Sequence, residues 1–214
     1  MSNSSTALAH QFDDIEQQHE SDSLGMWVFL ATEILFFGGM FLGYSVYRAI
    51  YSPAFSEASR RLDVLLGGIN TAVLLCSSLT MALAVRAAQL GGRRTVIAFL
   101  IATMVLGSIF LGIKGFEYYQ KYEEHFIPGP HFEFAGANGR HAQIFFSFYF
   151  VMTGMHALHM VIGIGIMLTM IWLTMRRRFS PEYYFPIEMA GLYWHFVDIV
   201  WVFLFPLLYL VDRS

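Results

Sequence analysis

Ionisable side chains lie inside a long apolar segment near the end of the sequence. The stretch 191–208 is rich in aromatic and aliphatic residues, yet it contains His195 and Asp198. Burying such groups in membrane hydrocarbon is costly, so they are expected to face protein rather than lipid. At 100° per residue they share one arc of a helix with Glu188 and Gly191. The arc predicts a buried polar network with a neighbouring helix.

Two more histidines lie one helical turn apart in another apolar segment. His156 and His159 share a face, a spacing that can hold a metal or a haem. The chain has no Cys cluster, no HExxH motif and no Glu-x-x-His pair on this segment to complete a metal site. We therefore expect hydrogen-bonded core histidines and no metal site. A membrane cytochrome b, with haem held between His195 and one of these two, is the alternative.

Two further charged groups interrupt apolar segments. Glu33 is either a structural carboxyl that joins helices or a proton-handling group. Lys114 can reach Glu117 three residues later, or extend to the membrane interface beside Tyr118. We expect Lys114, Glu117 and Tyr118 to form an anchor at the membrane interface, since Tyr is typical of the aromatic belt there.

Five apolar segments are each long enough to cross a bilayer, which takes about 20 mainly apolar residues. The sequence is 56% hydrophobic and 14% charged, which is too apolar for a soluble domain. These values predict an all-α polytopic membrane protein, a single five-helix bundle over 24–214 that follows a polar tail over 1–23. The predicted spans are Leu24–Ile50, Leu62–Ala88, Thr95–Tyr119, His141–Met175 and Tyr183–Val211.

Packing surfaces are predicted on two of these segments. The second carries a stripe of small and weakly polar residues, which is typical of a helix-packing seam: Gly67, Asn70, Thr71, Ser77 and Ser78. The fifth carries aromatic residues suited to packing: Tyr193, Trp194 and Trp201. Pro206 removes a hydrogen bond four residues back and predicts a kink near Val202.

The charge distribution argues against nucleic-acid binding, but the number of basic residues does not decide which side of the membrane the amino terminus is on. The net charge is −3 and no block of basic residues indicates nucleic-acid binding. Six basic residues lie on each side of the membrane, which is a tie under the positive-inside rule. Those on the side of the amino terminus fall in two loops poor in acid and favour a cytoplasmic amino terminus: Arg86, Arg93, Arg94, Arg176, Arg177 and Arg178.

Four motifs on successive segments resemble subunit III of haem-copper respiratory oxidases, in its five-helix form. They are Ala31-Thr32-Glu33, Lys114-Gly115-Phe116-Glu117-Tyr118, Thr153-Gly154-x-His156-x-x-His159, and Tyr193-Trp194-His195-Phe196-x-Asp198-x-x-Trp201. The chain lacks the amino-terminal helix pair of the seven-helix forms, so the lipid cleft between those two parts does not carry over. A secondary transporter is a weaker alternative, because the sequence shows no inverted repeat.

The resemblance implies a non-catalytic subunit of a proton-pumping terminal oxidase, with no catalytic residue and no cofactor on this chain. Haem and copper are expected in partner subunits, and phospholipid is expected to be bound. The implied partners are oxidase subunit I, subunit II and a small subunit IV, in a bacterial cytoplasmic (inner) membrane with the carboxyl terminus periplasmic. The subunit is expected to stabilise the catalytic subunit and support proton uptake. The accessory protein of nitric oxide reductase is the nearest alternative.

Overall fold

A computed structural model describes residues 15–130, 132–134, 139–179 and 183–210, and every regular element in these ranges is helical. Five helices are long and apolar enough to cross a membrane, so the predicted all-α bundle of five spans is confirmed. The elements in chain order are α1 (Ile15–Ile50), α2 (Ser52–Ser59), α3 (Val64–Gln89), α4 (Arg93–Glu123), α5 (Gly139–Met175), α6 (Phe185–Phe205) and a π-helix (Pro206–Leu210).

The helices extend beyond the predicted spans. α1 begins at Ile15, inside the predicted tail, and α4 continues to Glu123. The short helix α2 occupies what the sequence predicted as a connector, with Pro53 in its first turn, where a missing N–H costs nothing. Hydropathy detects only the part of a helix that matches hydrocarbon, so these polar extensions escaped prediction. Residues 1–14 of the predicted tail and Val211 lie outside the described ranges.

Helix α6 is the centre of the bundle, whereas α1 lies at its edge. Half of the most apolar window of α6 is buried, against 11% for α1. The indole of Trp194 lies between Gly107 of α4 and Gly163 of α5. Its Nε1 donates to Ser77 Oγ of α3 at 3.1 Å. One buried side chain of α6 therefore contacts three neighbouring helices.

The proline near the end of α6 changes the winding of the chain. Helix α6 is α-helical to Phe205, and a π-helical turn follows from Pro206. The kink near Val202 stays a prediction. Proline cannot donate to the carbonyl four residues back, and the wider turn follows it. The Tyr44 hydroxyl of α1 donates to the Leu207 carbonyl at 3.0 Å and fixes this turn.

Candidate functional site

A buried ion pair on α4 is held by two tyrosines from other elements. The Lys114 ammonium lies 2.9 Å from Glu117 Oε2 and donates to the hydroxyls of Tyr149 on α5, at 3.0 Å, and Tyr209 on the π-helix, at 2.8 Å. Tyr209 in turn donates to Glu117 Oε1 at 2.6 Å. Lys114 is 4% exposed and Glu117 is 1% exposed. We refer to these four residues as the Lys114 cluster.

The Lys114 cluster satisfies the charges that it removes from water. An ammonium has three donors, and all three have an acceptor here. Aromatic faces add to this, with the nitrogen 4.9 Å from the Tyr149 ring centroid and 5.2 Å from that of Trp201. A buried ion pair costs desolvation energy, which such contacts offset.

This geometry corrects the predicted interface anchor at Lys114, Glu117 and Tyr118. The side chains of Lys114 and Glu117 are buried inside the bundle, and Tyr118 is partly buried against its core. The Tyr118 hydroxyl lies 2.5 Å from Thr153 Oγ1 on α5. Polar partners on α5 make burial possible, and the sequence of α4 alone does not reveal them.

Glu33 pairs with a histidine across the α1–α5 boundary. His159 Nε2 lies 3.1 Å from Glu33 Oε2, and His159 Nδ1 lies 2.8 Å from the Met155 carbonyl. Tyr193 of α6 donates to the backbone carbonyl of His159 at 3.0 Å. The Glu33 side chain is 19% exposed, so the pair lies near the open edge of the bundle. It joins the loosely packed α1 to α5.

The arc on α6 does not form the single network that the sequence predicted. His195 Nδ1 lies 2.7 Å from Ser78 Oγ of α3. Asp198 is buried close to the same serine, yet neither of its oxygens makes a hydrogen bond to any described residue. Glu188 is only partly buried at the start of α6. The polar groups of α6 therefore lie in separate environments.

The expected hydrogen bonds of His156 are not formed with any described residue. Its ring is 1% exposed and packs against Phe110 and Trp201, with centroid distances of 5.3 and 5.2 Å. Both ring nitrogens of His159 have polar partners, the Glu33 carboxylate and the Met155 carbonyl, and Nδ1 of His195 contacts Ser78 Oγ. In the described part of the chain, no group of three or more His, Cys, Asp or Glu side chains is placed to hold a metal.

The predicted seam on α3 packs against the aromatic residues of α6. Trp201 Nε1 donates to Thr71 Oγ1 at 3.1 Å, as Trp194 does to Ser77. The prediction of a packing seam is confirmed by these contacts. Sequence reasoning missed Tyr149 and Tyr209, because contacts between residues 35 and 95 positions apart leave no local pattern.

Five membrane-spanning helices, with charged groups paired in the interior, define a polytopic helical membrane protein. A sequence model described as cytochrome c oxidase subunit III matches residues 16–212. The chain belongs to this family and is therefore a subunit III of a haem-copper oxidase, one part of a multi-subunit enzyme.

Relatives in bacteria and animals carry the name cytochrome c oxidase subunit 3. That of Thermostichus vulcanus is 31% identical over 97% of this chain and 95% of its own length. That of Synechocystis is 32% identical over 87% and 74%, and that of Loxodonta africana is 33% identical over 89% and 69%. The similarity therefore extends over nearly the whole of the chain.

Proposed function

We propose that this chain is a cofactor-free, non-catalytic subunit that stabilises the catalytic subunit of a proton-pumping terminal oxidase, which reduces O2 to water. The observation that carries the proposal is that the charged side chains in the interior form pairs within this chain. Lys114 and Glu117 are satisfied within their cluster, and Glu33 contacts His159. This arrangement supports a role in architecture rather than in ligation of a redox centre.

The proposed partners are subunit I as the main contact, subunit II and a small subunit IV. The haem and copper are proposed to lie in partner subunits. The outer surface of α1 supports such a contact. It exposes large apolar side chains along its length, which suit a partner helix or bound phospholipid. They include Leu24, Trp27, Ile34, Leu35 and Leu42.

Support for proton uptake is proposed through the same edge. The Glu33–His159 pair brings a carboxyl and an imidazole within hydrogen-bonding distance, and both groups exchange protons. Both side chains are partly exposed, His159 to 10% and Glu33 to 19%, so protons can reach the pair. Whether Glu33 acts as a structural tie or as a proton-handling group is decided by the Glu33→Gln variant described in the Discussion.

The proposed location is a bacterial cytoplasmic membrane with the amino terminus in the cytoplasm. The loop between α3 and α4 and the end of α5 carry arginines without neighbouring acids, which favours the cytoplasmic side. This places the carboxyl terminus in the periplasm, because the chain crosses five times.

Gentle solubilisation of the complex tests this function. We expect mass spectrometry to find this chain with subunits I and II, haem absorption in the complex, and none in the chain purified alone. A Soret band in the isolated chain would support a cytochrome instead. Co-purification with a nitric oxide reductase would support the accessory protein of that enzyme.

A further inference from the structure

Four oxidisable side chains form a continuous row through the interior of the bundle. The ring centroids of Tyr118 and Tyr149 lie 6.0 Å apart, and those of Tyr149 and Tyr209 lie 6.4 Å apart. Trp201 follows, with its centroid 6.4 Å from that of Tyr209. Phenol and indole rings are among the side chains that most readily lose one electron, and electron transfer is fast between rings in near contact. We call these four residues the aromatic row.

The aromatic row runs from the surface of the bundle into its interior. Tyr118 on α4 is partly exposed, whereas the other three members are fully buried. Those three lie on three further elements: Tyr149 on α5, Trp201 on α6 and Tyr209 on the π-helix. An oxidant outside the bundle can therefore take an electron from Tyr118, and the buried rings can replace that electron.

Tyr209 donates its hydroxyl proton to a base. The acceptor is Glu117 Oε1, at 2.6 Å. The Tyr118 hydroxyl instead lies 2.5 Å from Thr153 Oγ1, and a threonine hydroxyl does not hold an additional proton at neutral pH. A tyrosine loses an electron most easily when its proton leaves at the same time, because no charged ring is then created in an interior of low polarity. Oxidation is therefore easiest to retain at Tyr209.

A positive charge on Trp201 is unfavourable by comparison. Its Nε1 donates to Thr71 Oγ1 at 3.1 Å, again a hydroxyl, so an oxidised indole would keep its proton and remain a radical cation. The Lys114 ammonium lies 5.2 Å from the Trp201 ring centroid, and two positive charges repel strongly at this distance inside a protein. An oxidised Trp201 would therefore take an electron from Tyr209.

We propose that the aromatic row carries one-electron oxidation from the surface to Tyr209, which becomes a neutral tyrosyl radical. The oxidant is a strong one-electron acceptor, such as an oxygen-derived radical, and it is reduced by an electron from Tyr118. Electrons pass outward from Tyr209 through Tyr149, and the O–H bond of Tyr209 breaks as its proton moves to Glu117 Oε1. One electron from a reductant restores the hydroxyl, with the proton returned by Glu117. This redox activity goes beyond the proposed architectural role.

Electron paramagnetic resonance of the full chain in detergent tests this proposal. The chain is oxidised with flash-generated tris(bipyridine)ruthenium(III) and frozen. We expect a tyrosyl signal that narrows when the tyrosines carry ring deuterium and is unchanged when the tryptophans do. In high-field spectra, the hydrogen bond from Lys114 to the oxygen of Tyr209 should lower the largest g value. A tryptophan radical, or a tyrosyl radical without this shift, overturns the proposal in the unaltered chain.

Matched substitutions then locate the radical and its route. Tyr209→Phe should reduce the tyrosyl signal several-fold. Tyr193→Phe is the control and should leave the signal unchanged, because Tyr193 is also buried but donates to a backbone carbonyl, which does not take its proton. Tyr118→Phe should slow formation of the radical without altering its spectrum. Circular dichroism checks that each variant is folded. An unchanged signal in Tyr209→Phe, equal losses in Tyr209→Phe and Tyr193→Phe, or an unchanged rate in Tyr118→Phe overturns the proposal, and the spectra of the unaltered chain decide if Tyr209→Phe does not fold.

Discussion

Each member of the buried ion pair depends on the other. Lys114 and Glu117 are both almost fully buried, so removing one leaves an unpaired charge in the interior. We expect Lys114→Met to destabilise the bundle by about 3–5 kcal/mol, the usual cost of breaking a buried pair. The measurement is the midpoint of heat denaturation of the solubilised complex, together with the amount of subunit retained.

The matched comparison replaces both charges. Lys114→Met with Glu117→Leu removes the stranded carboxylate and should recover much of the lost stability. Arg86→Met, on the exposed surface of α3, should change stability by no more than about 0.5 kcal/mol. A single Lys114→Met variant as stable as the unaltered protein would contradict the importance of this pair.

A substitution at Glu33 distinguishes a structural role of this carboxyl from a role in proton handling. Glu33→Gln keeps an oxygen and adds a donor next to His159 Nε2, so the tie between α1 and α5 should persist. We expect the subunit to remain in the complex, where unchanged proton pumping would assign Glu33 to a structural tie. Pumping measured per electron in vesicles is the readout, and a fall with full subunit retention would assign Glu33 to proton transfer.

For a substitution at Asp198, the structure leads us to expect a different effect on stability from the one that the sequence suggests. Removing a carboxyl from a polar network destabilises a protein. However, no described residue forms a hydrogen bond to the carboxyl oxygens of Asp198. We therefore expect Asp198→Asn, which keeps the shape, to leave the thermal midpoint and the subunit content unchanged or slightly higher. A marked loss of subunit III from the purified complex would contradict this expectation and show that the buried carboxyl of Asp198 is needed for folding of the subunit.

At the scale of the elements, close approach of α4, α5 and α6 depends on two glycines. A Cβ at Gly107 would lie 2.7 Å from Trp194 Cη2, and one at Gly163 would lie 2.8 Å from its Cε3. The indole touches both neighbours and cannot move away from one without meeting the other. We expect Gly107→Ala or Gly163→Ala to cost about 1–3 kcal/mol, seen as a lower thermal midpoint.

Two glycines on the same helices provide matched controls. A Cβ at Gly112 of α4 or Gly165 of α5 would meet nothing within 4 Å. Alanine at either site should be neutral or slightly stabilising, because alanine favours helix. If all four alanine variants melt alike, Trp194 does not determine the spacing of these helices.

At the scale of the whole molecule, orientation follows from where the arginines lie. We expect a reporter active only in the cytoplasm to be active when fused after residue 91 and inactive when fused after residue 129. The two sites lie in loops on opposite sides of α4. The reverse pattern would place the loop between α3 and α4 in the periplasm and contradict the proposed topology.

The number and order of the spanning helices were predictable because hydrocarbon imposes a length and composition on each. The seam on α3 was predictable for a related reason, since small residues indicate close helix contact. Lys114 was not, because a lysine towards the end of an apolar segment is equally compatible with an interface and with a buried pair. Its tyrosine partners lie on other helices, and only the packing of the bundle shows that they meet it.

Tyr209 is synthesised after every other member of the Lys114 cluster, on the turn that follows α6. Until the ribosome has delivered it, Lys114 and Glu117 enter the membrane without one of their hydroxyl partners. A nascent chain that stops short of this turn would carry an incompletely satisfied ion pair in its interior. The last described turn of the chain thereby completes the hydrogen bonding of the buried ion pair.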